Sequence, residues 1–133
     1  MILQKGRRNT VNKNLSAPDV KVTEVEINTI TLRTIIEKYS ISKIDVMKID
    51  VETHEVEVLK GMGDYLQKFK PAMLIEILNN TVAEGIEKLI SGMDYLYFNI
   101  DENGSINQTE HILKSDCFNY LLCSKNYRQN LIM

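Results

Sequence analysis

A chain of 133 residues, 44% hydrophobic and 26% charged, is long enough to bury one sizeable core and too short for two. Its 16 Lys plus Arg against 18 Asp plus Glu leave a net charge of -2 with no long block of one sign, which excludes a nonspecific basic surface for nucleic acid. No apolar run reaches the roughly 18 residues of a membrane span and the amino terminus lacks the apolar centre of a secretory signal, so a cytoplasmic protein with no membrane partner is expected.

Residues 1–19, with Asn9, Asn12, Asn14, Ser16 and Pro18, read as a loose lead-in, and Lys5, Arg7, Arg8 and Lys13 as its solvated basic tail. Val25 and Ile27 alternate with Glu24, Glu26 and Asn28, the period of a short, half-exposed strand. Thr31 can cap a helix whose face is Leu32, Ile35, Ile36 and Tyr39. Ile44–Asp50 is rich in strand formers, with apolar residues toward both faces, and Glu52–Lys60 reads as a helix closed by Gly61. Asp50 is a capping candidate for that helix, and Glu52 and Glu55 in its first turn favour the positive end of its dipole.

Pro71 introduces a further apolar strand, Ala72–Leu78, and Thr81-Val82-Ala83-Glu84 is a capping box. The helix it opens has the stripe Val82, Ile86, Leu89 and Ile90, and Gly92 is placed to end it. Tyr95–Ile100 is a core strand, Asp101-Glu102-Asn103-Gly104 a strong turn, and Phe118–Ser124 the last strand before a tail at 127–133. No long helix separates the last two strands, so they are expected to pair antiparallel. Cys117 and Cys123 share one face of that strand and cannot pair there, which predicts reduced thiols.

The run Lys48-Ile49-Asp50-Val51-Glu52-Thr53-His54-Glu55, continued by Val56-Glu57-Val58-Leu59-Lys60-Gly61, resembles the hallmark of the FkbM-type methyltransferases. That hallmark is a strand ending in Lys-Ile-Asp-Val-Glu-Gly, a small residue, Glu, and a helix reading Val-Leu-Lys-Gly. Ile30-Thr31-Leu32 and the run Lys70-Pro71-Ala72-Met73-Leu74-Ile75-Glu76-Ile77 extend the likeness, which places a partial methyltransferase domain at 20–126. The resemblance implies an α/β fold: the C-terminal half of a Rossmann-like seven-stranded methyltransferase sheet, mostly parallel with an antiparallel final strand pair. It implies S-adenosylmethionine as methyl donor and, as acceptor, the hydroxyl of a sugar, glycan or other small molecule such as a secondary metabolite.

Two departures qualify these expectations. Thr53 stands where the family usually has glycine, and Gly6 is the only glycine ahead of Gly61, so the family's glycine-rich donor loop has no counterpart. The chain is therefore expected to be a truncated or split half that alone neither binds the donor well nor turns over.

Ligands of open α/β sheets gather beyond the carboxyl ends of the strands, where Asp50, Glu52 and, one strand on, Glu76 fall. Methyl transfer to oxygen needs the acceptor oriented and relieved of a proton, work for a carboxylate or for the adjacent His54. No metal is implied, since Asp50 and Glu52 alone do not make a site. The competing reading is a non-catalytic α/β association module. The Ile44–Asp50 strand would then offer an edge to a missing N-terminal half or to a second copy in a homo-oligomer, with Val46 and Ile49 near the contact.

Overall fold

The computed structural model describes residues 28–125; the expected lead-in, the strand at Val25–Ile27 and the C-terminal tail lie outside the described residues. Helix α1 (Leu32–Lys38) begins where Thr31 Oγ1 accepts a hydrogen bond from the Thr34 N–H at 3.2 Å, and it buries Ile36. Tyr39 is its C-cap, past the last helical turn, and is 65% exposed rather than part of the buried stripe.

Strand β1 (Val46–Ile49) pairs in parallel with β2 (Ala72–Glu76), Val46 opposite Ala72 and Ile49 opposite Ile75. It starts two residues later than expected because its partner is preceded by Pro71, which has no N–H to donate; the last bond on that side is Ala72 N–H to Asp45 O at 2.8 Å. Between the two strands the chain forms α2 (Glu55–Lys60) and α3 (Tyr65–Phe69). The latter ends at Lys70 with φ of 44°, a left-handed cap followed at once by proline.

Helix α4 (Asn80–Ile90) is capped two residues before the expected capping box, by Asn79, whose Oδ1 accepts from the Val82 N–H at 2.9 Å. Val82, Ala83, Ile86 and Ile90 are its buried residues. Gly85 lets it close on α2, because a Cβ there would stand 2.8 Å from Val56 Cγ2. Gly92, with φ of 78°, then turns the chain into β3 (Tyr95–Ile100). The Asp101–Gly104 turn forms as expected: Asp101 Oδ1 accepts from the N–H groups of Asn103 and Ser105, each at 2.8 Å, and leads into β4 (Ile106–Thr109).

Strand β5 (Asn119–Ser124) does pair antiparallel with β3, but it also lies antiparallel against β2, giving the order β1-β2-β5-β3-β4. The expectation of a mostly parallel sheet is thereby corrected. Among the described residues only β1 and β2 pair in parallel; β5 turns what would be a parallel β2/β3 contact into two antiparallel ones, and β4 adds a third. The described residues form a five-stranded mixed α/β sheet.

Strand periodicity decides which side faces the core. Ile49, Met73, Ile75, Tyr120 and Leu122 point to one face and are buried in a single cluster with Ile36, Leu59, Leu66 and Ile86, so α1 to α4 all contribute to the layer on that side. Removing one such side chain from water stabilises the fold by roughly 1.5–3 kcal/mol. The opposite face carries Val46, Lys48, Leu74, Glu76, Phe98 and Leu121, all half-buried or exposed. Of the two residues expected at an intermolecular contact, Val46 is 67% exposed while Ile49, at 3%, belongs to the chain's own core. Neither Cys117 nor Cys123 forms a disulfide among the described residues, and Cys117 precedes β5 rather than sharing it. No helix among the described residues is long and apolar enough to cross a membrane.

Candidate active site

The carboxyl ends of β1 and β2 meet the β3–β4 turn and the loop before β5 around a cleft of about 400 Å³. Its acidic lining is Asp50, Glu76, Asp101, Glu102 and Asp116, with Lys48 the one cation among the described residues; Leu74, Ile100 and Phe118 supply apolar wall. Register brings the first two carboxylates together: Lys48 lies opposite Leu74, so Asp50 and Glu76, each two residues further, fall beside one another on the same face. The Lys48 ammonium contacts Asp50 Oδ2 at 2.8 Å.

Glu76, the last residue of β2, is half-buried. Burial, then the charge of Asp50 and a hydrogen bond to its carboxylate, with Glu52 and Glu55 contributing less, push the Glu76 carboxyl above the usual carboxylate range. Glu76 thus stands beside Asp50 as a carboxyl that holds its proton more readily than an exposed one, an arrangement suited to proton transfer. The loop before β5 is pinned by Asn99, whose Nδ2 donates to Cys117 O at 2.8 Å, and by Ser115, whose hydroxyl donates to the same oxygen at 2.8 Å.

Between Asp50 and α2 the chain makes a tight turn in which His54 N–H donates to Val51 O at 3.4 Å. Its two central residues, Glu52 (φ 54°) and Thr53 (φ 77°), are both left-handed, as in the primed turns that ordinarily call for glycine or asparagine. The position at which Thr53 replaces the family glycine is therefore one where glycine would be unstrained. Glu52 is exposed and reaches the site through its charge on Glu76. His54 is the N-cap residue of α2 without a side-chain capping bond; its Nδ1 lies 3.3 Å from Glu52 O, in its own turn, and it does not line the cleft. Asp50 does not cap α2, which starts at Glu55.

The residue that sequence reasoning undervalued is Glu55. It is fully buried, and its Oε1 accepts from the N–H groups of Val51 and Thr53, each at 3.3 Å. Its spacing to Leu59, Met62 and Leu66, all buried, was the available signal that it lies on the inner stripe. Asp101, Glu102 and Asp116 were also missed as site residues, because only the strand order brings their loops to the cleft.

A larger cleft, about 480 Å³, lies at the start of β3 between Glu87, Asp94, Tyr97, Glu110 and His111 and holds none of the predicted carboxylates. His111 Nδ1 is 3.4 Å from Glu87 Oε1 there. Among the described residues no group of three or more His, Cys, Asp or Glu side chains could hold a metal ion.

A family model described as the methyltransferase FkbM domain matches residues 3–116. No curated protein and no solved structure matches the chain. Since the family match spans well over half of the sequence and contains the Lys48–Glu55 strand end, the chain belongs to the FkbM methyltransferase family.

Proposed function

We propose that the protein transfers a methyl group from S-adenosylmethionine to a hydroxyl of a sugar, glycan or secondary metabolite, with Asp50 and Glu76 as the proton-handling pair. The observation that carries the reading is their juxtaposition at the ends of adjacent parallel strands inside a cleft of a methyltransferase family domain. When bound, S-adenosylmethionine supplies an electrophilic methyl group on a positively charged sulfur. A cleft lined by five carboxylates and one lysine, itself paired to Asp50, fits a cationic donor, and Glu102 and Asp116 on its exposed rim would hold the donor's cationic and hydroxyl groups.

Asp50 accepts the hydrogen bond that orients the acceptor hydroxyl, and the proton released from that hydroxyl passes to the adjacent Glu76 carboxylate, whose hold on a proton is raised by burial and by the charge of Asp50. The apolar wall of Leu74, Ile100 and Phe118 gives a ring-shaped acceptor a surface to lie on.

The test, in a complete enzyme that carries this half, is transfer of labelled methyl from S-adenosylmethionine to a panel of sugar and phenolic hydroxyls. Asp50→Asn is expected to lower turnover by at least roughly a hundredfold. Glu57→Gln, an exposed substitution on α2, is expected to leave it unchanged. Equal activity in both variants, or no transfer to any acceptor, overturns the reading.

A second reading, association without catalysis, is favoured by Val46, a 67% exposed apolar side chain on a strand whose described pairing is with β2 alone. It predicts a dimer in sedimentation across a concentration series that Val46→Lys converts to monomer. A monomer at every concentration removes it.

A further inference from the structure

We infer that Glu55 is a positioning residue for the methyl-transfer site: its buried carboxyl clamps the left-handed Glu52–Thr53 turn and so fixes where Asp50 stands at the cleft. The inference rests on the proposed function for its catalytic consequence and on the turn's geometry for its structural one.

Two consecutive non-glycine residues at positive φ form an unfavourable turn, and Thr53, being β-branched, is among the least suited to it. The turn's own closing bond, His54 N–H to Val51 O, is long at 3.4 Å. What holds it from inside is Glu55 Oε1, which takes the N–H of Val51, just before the pair, and the N–H of Thr53, within it. One oxygen thereby fixes the backbone on both sides of Glu52, and Asp50 is the residue immediately before Val51.

Glu55 is a costly choice for packing alone. It is fully buried among apolar neighbours on the inner stripe of α2, and its second oxygen, Oε2, has no hydrogen-bond partner. A leucine would fill this space without leaving a polar atom unsatisfied, so a buried carboxyl points to work done by Oε1. That work is the clamp, and the clamp's output is the placement of the Asp50 end of the acid pair.

Amide hydrogen exchange on this chain and kinetics on a complete enzyme that carries it separate the two parts of the inference. In Glu55→Leu, protection of the Val51 and Thr53 amides is expected to fall at least roughly tenfold, while the Ile75 amide within β2 keeps its protection. Acceptor kcat is expected to fall in step with donor KM little changed, because the donor's carboxylates sit elsewhere in the cleft. Glu55→Gln, which keeps an Oε1 acceptor, is expected to retain most of both properties and also covers the case in which the leucine variant does not fold. Adding Thr53→Gly to Glu55→Leu is expected to recover part of the lost kcat by making the turn easier to hold. Unchanged Val51 and Thr53 exchange in Glu55→Leu, or a Gln variant no better than Leu, overturns the clamp. Altered exchange with wild-type kcat overturns its positioning role. Absence of methyl transfer by the complete wild-type enzyme removes the proposed function, and the exchange data then decide the clamp alone.

Discussion

Replacing Thr53 by glycine should stabilise the protein, against the usual expectation for a glycine introduced into a loop. Thr53 has φ of 77°, where an L-residue stands about 1–2 kcal/mol above its favoured regions. Glycine loses that strain and adds about 0.4–1 kcal/mol of unfolded-state entropy. The Thr53 hydrogen bond to Glu55 runs through the backbone N–H, which glycine keeps. The balance is a gain of about 0.5–1 kcal/mol, or roughly 2–4 °C in Tm for a domain of this size. Calorimetric melts with urea unfolding at constant m-value measure it. Lys70→Gly, at the left-handed end of α3 with φ of 44° and away from the cleft, is the companion substitution and should gain by the same logic. A Tm that falls or stays put in Thr53→Gly while Lys70→Gly rises would refute the claim that the 52–53 turn is held under strain.

Two further outcomes follow from single contacts. Glu76 binds its proton more tightly in the folded protein than at its ordinary value of 4.5, so the stability this brings is complete below that value and is lost as pH rises through the folded pKa. Glu76→Gln should therefore be more stable than wild type near neutrality, with the gap closing as pH falls toward 4; a urea-midpoint difference that ignores pH would contradict this. Gly85→Ala sets a helix gain of about 0.5–1 kcal/mol against overpacking of about 1–3 kcal/mol, because the new Cβ meets Val56 Cγ2 at 2.8 Å. Net destabilisation is expected, relieved by adding Val56→Ala, and a stabilised single variant would show that α2 and α4 separate freely.

What could be read from the sequence was what neighbours in the chain decide. Thr31 as a cap, the α4 stripe, the Asp101–Gly104 turn and the antiparallel run of the last strands each depend on a few adjacent residues. Helix α3 escaped notice because five residues between Gly63 and Pro71 are too few to show a helical period. Strand β4, Ile-Asn-Gln-Thr, is polar and mostly exposed, so nothing in its alternation marks it. Asn79 and Thr81 are both credible caps, and only the observed bond to Val82 separates them. At the site, Asp50 and Glu76 were visible singly, through the hallmark and through a carboxylate ending an apolar strand. Their adjacency needed the parallel register, and the carboxylates of the two loops needed the position of β5.

That position bears on how the protein is made. Synthesis proceeds from the amino terminus at about 5–20 residues per second, and β2 and β3 do not touch as strands; they are joined only through β5. Until Ser124 has emerged from the ribosome, the β1–β2 pair and the β3–β4 hairpin share no neighbouring strand. Met73, Ile75 and Tyr97 then still lack the Tyr120 and Leu122 side chains that finish their surroundings. The family match ends at residue 116, three residues short of the strand that closes the sheet. A nascent chain interrupted just there would carry the hallmark and both partners of the acid pair, yet its sheet would be two separate pieces with sticky apolar faces.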